Sequence, residues 1–395
     1  MKTVGIICEY NPLHLGHVEH IERTRSALGF DCAIVCVMSG NYVQRGDFAI
    51  FNKHARAEAA VRCGADLVVE MPSPYSLLSA EGFAAAGVFI LDSIGVCDYI
   101  SFGSECGDIA ILLEAAEALV TADADMLVKE GLDKGLPYAS AQQKAADAIL
   151  GTRSVVLKSP NNLLGIEYLK AISVHGSSIQ PMTIKRMGGA HDGDTGYSAS
   201  ALRKKMLQCE DPWEFMPSGA ADVLKKEIAD GRGPVSMKSG EAVMLSRLRN
   251  ISDFSHLPGA AEGLQHRFSR YAASEPTIIK ILDSVKTKRY AMSRLRRMLM
   301  CACLGITVSD TLEPPPYIRV LAMNRIGMGL LKAARGKAGL PIITKPAAIN
   351  KMTGRVVEMF GKEAAATDFY SLAYQEESNR SGGQEWRRTP AIVDS

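Results

Sequence analysis

Residues 3–21 read TVGIICEYNPLHLGHVEHI, and the order of features in this stretch decides the fold. The apolar run TVGIIC (3–8) is continuous rather than alternating, as expected of a strand buried on both faces of a parallel sheet. A polar turn follows, and a helical pattern then extends from about Gly16 to Leu28. Pro12, His14, Gly16 and His17 sit at the junction. In open α/β sheets this junction binds anions, because the first N–H groups of the helix are free and its dipole favours negative charge. Two imidazoles flanking Leu15–Gly16 can donate to one anion, and glycine removes a side chain that would block approach. The same residues also suit a capping histidine or a metal site, and so short a motif leaves these open.

Working outward, the first half of the chain alternates. CAIVCVM (32–38), DLVVEMP (66–72), CDYISFGSE (97–105) and IQPMTIK (179–185) read as four further strands. Helical stretches over about 53–63, 80–94, 108–150 and 159–172 separate them. Strands interleaved with helices predict an α/β fold, a doubly wound parallel sheet. GGAHDGDTG (188–196) reads as a flexible loop, and YSASALRKKML (197–207) begins another helix with Ser198 or Ser200 as cap. A break near 212–219 divides a catalytic domain, 1–212, from a mainly α-helical basic region, 213–375. The polar stretch 376–395 reads as a disordered tail.

Composition narrows the function classes. The chain has 395 residues, 47% hydrophobic and 22% charged, as in ordinary globular proteins. No apolar run approaches the ~18 residues of a spanning helix, and Glu9 interrupts the first run too early for a signal-peptide core. A cytoplasmic protein with no membrane partner is therefore expected. Nine scattered cysteines without a CxxC pair argue for reduced thiols and against a zinc ribbon. The net charge of +2 conceals polarity: residues 201–395 hold 30 Lys and Arg against 20 Asp and Glu, and residues 1–200 hold 15 against 23. A basic half of this kind often meets a polyanion, although a solvated helical face produces the same count.

A second motif strengthens the first. YSASALR (197–203) places hydroxyls at a helix start and Arg203 one turn later, which makes a clamp for a polyphosphate. The two motifs together suggest ATP held from both ends.

HxGH followed by S-x-S-x-x-R resembles the HIGH-type nucleotidyltransferases. The blocks VGIICEYNPLHLGHVEHI (4–21), VMSGNYVQRGDFAI (37–50), KHARAEAAVRCGADLVVEMP (53–72), FGSECGD (102–108), SPNNLLGIEYLKAI (159–172) and KTKRYAMSRLRRMLM (286–300) are similar, in order, to the bacterial tRNA(Met) cytidine acetate ligase family. The resemblance implies a Rossmann-like catalytic domain that activates acetate with ATP as acetyl-adenylate. It further implies acetyl transfer to N4 of the wobble cytidine in the anticodon region of elongator tRNA(Met). A small-molecule adenylyltransferase of the pantetheine-phosphate or mononucleotide type is the alternative, but such enzymes need only a short single domain.

The resemblance also implies roles. His14 and His17 would be catalytic, stabilising charge on the phosphates. The stretch Ile7, Cys8, Glu9, Tyr10, Asn11, Pro12, Leu13, His14, Leu15, Gly16, His17, Val18, Glu19 and His20 would line the nucleotide. Gly103, Asn162 (with Asn161 its confusable neighbour) and Arg186 would contact it as well, and Ser200 and Arg203 would hold the β- and γ-phosphates. Gln44, Arg45 and Lys53 would hold acetate or orient the base, with Arg45 the natural partner of a carboxylate. Mg²⁺ is expected to travel with ATP, since no carboxylate cluster is evident as a dedicated site. Between 280 and 300, Lys280, Lys286, Lys288, Arg289, Arg294, Arg296 and Arg297 stand against one acid, Asp283. This reads as one amphipathic helix whose cationic face meets RNA, with Tyr290 placed to stack on a base. An ion-paired internal face is the competing reading.

Overall fold

Side by side, the continuous apolar runs pair into a single sheet, each strand shielding the next from water. The computed structural model describes residues 1–134, 136, 138–186 and 198–394. Its strands are β1 (Thr3–Cys8), β2 (Ala33–Ser39), the short hairpin β3 (Tyr42–Val43) and β4 (Asp47–Phe48), β5 (Leu67–Met71), β6 (Tyr99–Ser104), β7 (Gln180–Lys185), β8 (Ile318–Met323), β9 (Ile342–Ile343) and β10 (Ala391–Ile392). The large sheet runs β10-β8-β5-β2-β1-β6-β7, with β9 also on β8. From β5 to β7 neighbouring strands are parallel, as the alternating pattern predicts. Strand order reverses around β1: β2 and β5 lie to one side, β6 and β7 to the other. The carboxyl ends of β1 and β6 therefore flank the crevice where such sheets bind ligands. The loop 188–196 lies outside the described residues.

Three features depart from the sequence reading. First, the region beyond the break contributes to the sheet of the first half: its strand β8 runs antiparallel to β5 and is buried at all six positions. The break near 212 thus does not close the sheet. Second, the stretch read as a disordered tail is folded. Residues 391–392 add β10 to β8, Glu385 is fully buried, and the Trp386 ring meets Phe360 edge-on at 4.7 Å. Polar composition misleads there because one polar group, Glu385, is buried as an internal partner. Third, the basic stretch is two helices, Ile278–Val285 and Met292–Leu304. Between them Lys286 turns its ammonium back onto the carbonyls of Thr287 and Tyr290.

The helical region has its own core, with Met244, Leu248, Phe268, Ile281, Leu295 and Leu299 at its centre. Tyr42 and Phe48 from the β3–β4 hairpin belong to the same cluster, beside Phe369 and Tyr370 of helix Arg355–Ser371. Burying each such side chain stabilises by roughly 1.5–3 kcal/mol. The loop after β2 is thereby anchored in the helical region, and the crevice has walls from both halves of the chain.

Candidate active site

The HxGH stretch builds one wall. His14 is the N-cap of helix Leu15–Leu28, and its Nδ1 accepts the Gly16 N–H at 3.1 Å. His17 Nδ1 accepts the His14 N–H at 3.2 Å, and the two rings lie 3.8 Å apart, tilted by 31°. A Cβ on Gly16 would come within 3.2 Å of the His14 ring, so glycine makes room for that ring as well as for a ligand. With both Nδ1 atoms accepting, the ring protons reside on Nε2. His20 Nε2 is 3.0 Å from Ser101 Oγ on β6, and Ser101 in turn contacts Thr24 Oγ1 at 2.8 Å.

Burial, followed by the nearby Arg186 charge, lowers the pKa of His14 to about 4, and the same two causes bring His20 to about 4. His17 is lowered by burial and by His14, Arg186 and His20. At neutral pH the three rings are therefore uncharged donors, and Arg186 supplies the cation among them. Arg186 stands at the end of β7, beside Gly103, and its N–H donates to the Ser104 carbonyl at 2.9 Å. The cluster of His14, His17, His20, Gly103 and Arg186 brings together residues from three elements.

The opposite wall is ionic. Glu9 Oε1 accepts the Gln44 N–H at 2.7 Å, which fixes the loop between β2 and β4. Arg203 Nη1 donates to the Asn11 carbonyl at 2.7 Å and feels the charges of Glu9, Asp47, Arg45 and Arg296. Arg45 is exposed, and among the described residues no carboxylate pairs with it. Asp47, its pKa raised by burial, lies 3.6 Å from Arg296 Nη1. Sequence reasoning missed Arg56, which is buried and donates to Phe51, Glu9, Ser39 and Gly40 carbonyls. It ties the ends of β1 and β2 together. A lone arginine inside an alanine-rich helical pattern was its only signal.

Several expected contacts fall elsewhere. Lys53 is fully buried, with Glu70 Oε1 at 2.6 Å and Glu385 Oε2 at 2.9 Å from its ammonium. Burial opposes the charge, but Glu385, Glu70 and Glu363 outweigh it and raise its pKa. Lys53 therefore braces the interior and is not an acetate ligand, a correction with a clear cause: an ammonium spent on internal carboxylates is unavailable to substrate. Asn162 is buried, its Oδ1 accepting the Glu105 and Cys106 N–H groups at 2.9 and 3.1 Å. Asn161 Nδ2 donates to Glu105 Oε1 at 2.6 Å. Both side chains shape the loop after β6.

Within 7–20, Tyr10, Asn11, Pro12 and Leu13 are buried, and Asn11 Oδ1 accepts the Ile50 N–H at 2.7 Å. These residues support the wall from behind. Ile7, Cys8, Glu9, Val18, Glu19 and His20 are half-buried and Leu15 is exposed. Ser198 is the cap of helix Ala199–Leu207, leaving Ser200 exposed in its first turn.

The basic residues differ in their surroundings. Arg289 and Arg294 both pair with Glu262, at 2.9 and 3.8 Å, and Arg296 faces the crevice. Lys280, Lys286, Lys288 and Arg289 are exposed. Burial lowers the pKa of half-buried Arg297. Tyr290 does not present a stacking face: it is 5% exposed, and its hydroxyl donates to the Glu262 carbonyl at 2.8 Å.

No helix among the described residues is long and apolar enough to cross a membrane, and no group of three or more His, Cys, Asp or Glu there is placed to hold a metal. The HIGH Nucleotidyl Transferase family model matches residues 1–385. A tRNA(Met) cytidine acetate ligase of Acetivibrio thermocellus is 37% identical, with 100% of each chain covered. One from Caldanaerobacter subterraneus is 38% identical, covering 95% of this chain and 96% of its own. The crystal structure of Thermotoga maritima TmcAL bound with alpha-thio ATP superposes with a TM-score of 0.92 at 32% identity, covering 100% of both chains. With the histidine pair at the end of β1, the crevice at the strand-order reversal and these similarities over its whole length, the chain belongs to the HIGH nucleotidyltransferases, in the family of the tRNA(Met) cytidine acetate ligases.

Proposed function

We propose that this chain activates acetate with ATP and transfers the acetyl group to N4 of the wobble cytidine in elongator tRNA(Met). In the first half-reaction a carboxylate oxygen of acetate bonds to the α-phosphorus, and the bond to the β-phosphate oxygen breaks. Pyrophosphate leaves and acetyl-adenylate remains. In the second, the N4 lone pair attacks the acetyl carbon, the bond to AMP breaks, and N4 loses a proton. Activation is needed because a free carboxylate is a poor electrophile and the cytosine amine is a weak nucleophile. Once the mixed anhydride exists, the second step needs mainly positioning.

The observation that carries this reading is the His14–His17 pair, two neutral Nε2–H donors at the crevice beside Arg186. Donors fixed before the reaction stabilise charge developing on the phosphates without reorganising. Arg203, across the crevice, suits the far end of the triphosphate, and unpaired Arg45 suits the acetate carboxylate. Mg²⁺ would arrive on the phosphates and supply further charge neutralisation. The exposed Lys280 and Lys288 suit the RNA backbone near the anticodon. A tRNA substrate agrees with a cytoplasmic location.

The test is incubation with ATP, labelled acetate and tRNA(Met) transcript, followed by nucleoside mass spectrometry. N4-acetylcytidine at the wobble position is expected. Unmodified RNA, with AMP transferred to phosphopantetheine or a mononucleotide instead, would refute the proposal.

A further inference from the structure

Gly46 and Asp47 lie directly against the basic helix Met292–Leu304. Gly46 has φ +72°, and a Cβ there would overlap the backbone of Arg296 and Arg297. The next residue, Asp47, pairs with Arg296 at 3.6 Å, and its Oδ1 accepts the Phe48 N–H at 2.8 Å. Phe48 is 2% exposed in the core of the helical region, so the far end of the loop is fixed there. The near end is fixed by the Glu9–Gln44 bond. Arg45 stands between these two anchors.

We infer that Arg296 is a positioning residue for acid activation: it holds Asp47, and through Asp47 the loop that presents Arg45. The helix read as an RNA surface thereby also takes part in the half-reaction that precedes RNA. The inference rests on the proposed acetate activation. Arg296 differs in this from Arg289 and Arg294, whose Glu262 partner lies outside the loop. Its ion pair spans the boundary between the helical region and the crevice loop, and breaking it loosens the segment that carries Arg45, between its two anchors, without touching the histidine wall.

The test is acetate-dependent ATP–pyrophosphate exchange by the full chain without RNA, for Arg296→Gln, Asp47→Asn, the double variant and Arg296→Lys. Each single neutral variant should raise the KM for acetate about 2- to 5-fold, the fold equivalent of roughly 0.4–1 kcal/mol in a half-exposed charged pair. The KM for ATP and the melting temperature should hold. The double variant should be no worse than the singles, because the two residues act through one contact. Arg296→Lys, which keeps the charge, should recover most of the loss. Unchanged exchange in Arg296→Gln alongside weaker RNA binding would overturn the inference and return Arg296 to the RNA surface. So would a loss in Arg296→Gln that Asp47→Asn does not share. Failure of the wild-type chain to exchange at all would instead strike the proposed function.

Discussion

His14 and His17 lie ring against ring, centroids 3.8 Å apart, each taking a backbone N–H on Nδ1. The backbone thus occupies the Nδ1 edge of each ring and leaves the Nε2 edge for a ligand. The two roles, capping and ligand contact, can be separated at His14. Asparagine caps a helix well but has no donor at the Nε2 position. His14→Asn should keep the melting temperature close to wild type and cost activation about 100-fold, as for other lost transition-state donors. Parallel measurement of thermal unfolding and acetate-dependent exchange checks it; wild-type exchange would remove His14 from the phosphate site.

The histidines also set a pH dependence of stability. His14 and His20 take up a proton near pH 4 when folded, against an ordinary 6.5. Between those values the unfolded chain binds more protons, so stability rises with pH from about 4 to 6.5 and is complete above that range. The melting temperature should fall between pH 7 and pH 5, and His20→Asn should make that fall shallower. An unchanged fall in that variant would contradict the assignment.

Bound ATP should act in the opposite direction on the same groups. Its phosphates favour the charged imidazole, so binding near pH 5.5 should draw protons from solution. Calorimetry in buffers of different ionisation enthalpy would show this as a buffer-dependent heat, and no dependence would place the phosphates away from the rings.

Glu385 lies at the heart of an interior charge cluster with Lys53 and Arg319, the latter at 3.1 Å. Burial works against its charge, but Lys53, His54 and Arg319 prevail and hold its carboxyl below the usual range. Glu385→Ala leaves two buried cations short of a partner and should cost roughly 3–5 kcal/mol. Urea unfolding measures this directly. A loss under about 0.5 kcal/mol, as for an ordinary surface substitution, would mean that the stretch after residue 375 adds nothing to the fold.

RNA contacts can be counted from salt dependence. If Lys280 and Lys288, both exposed, each neutralise one phosphate, replacing both with alanine should flatten the log–log salt slope by about 1.4–1.8. Exchange without RNA should be unaffected. An unaltered slope would move the RNA to another face.

The legible and illegible parts of this chain differ by the range of their interactions. The junction at residues 8–17 was readable because strand, turn, glycine and helix follow within one short stretch. The parallel strands were readable for a similar reason: β1, β2 and β5 are continuous apolar runs, and β6 and β7 follow helical stretches in the same alternation. Lys53 was misread because its partners Glu70, Glu363 and Glu385 come from three other elements, and nothing near residue 53 announces them. The folded C-terminal stretch was hidden by its polarity: Glu385 is buried to meet Lys53 and Arg319, and Arg319 also donates to the Arg388 carbonyl at 2.6 Å. Tyr290 looked free among cations until the Glu262 carbonyl claimed its hydroxyl.

The central claim is that the histidine wall and the Arg45 loop join acetate to the α-phosphate before any RNA is present. Acetate-dependent ATP–pyrophosphate exchange in the absence of RNA tests it most directly. The account predicts exchange in the wild-type chain, none without acetate, and about a 100-fold loss in His17→Ala. Exchange that ignores acetate and instead requires phosphopantetheine or a nucleoside monophosphate would contradict it.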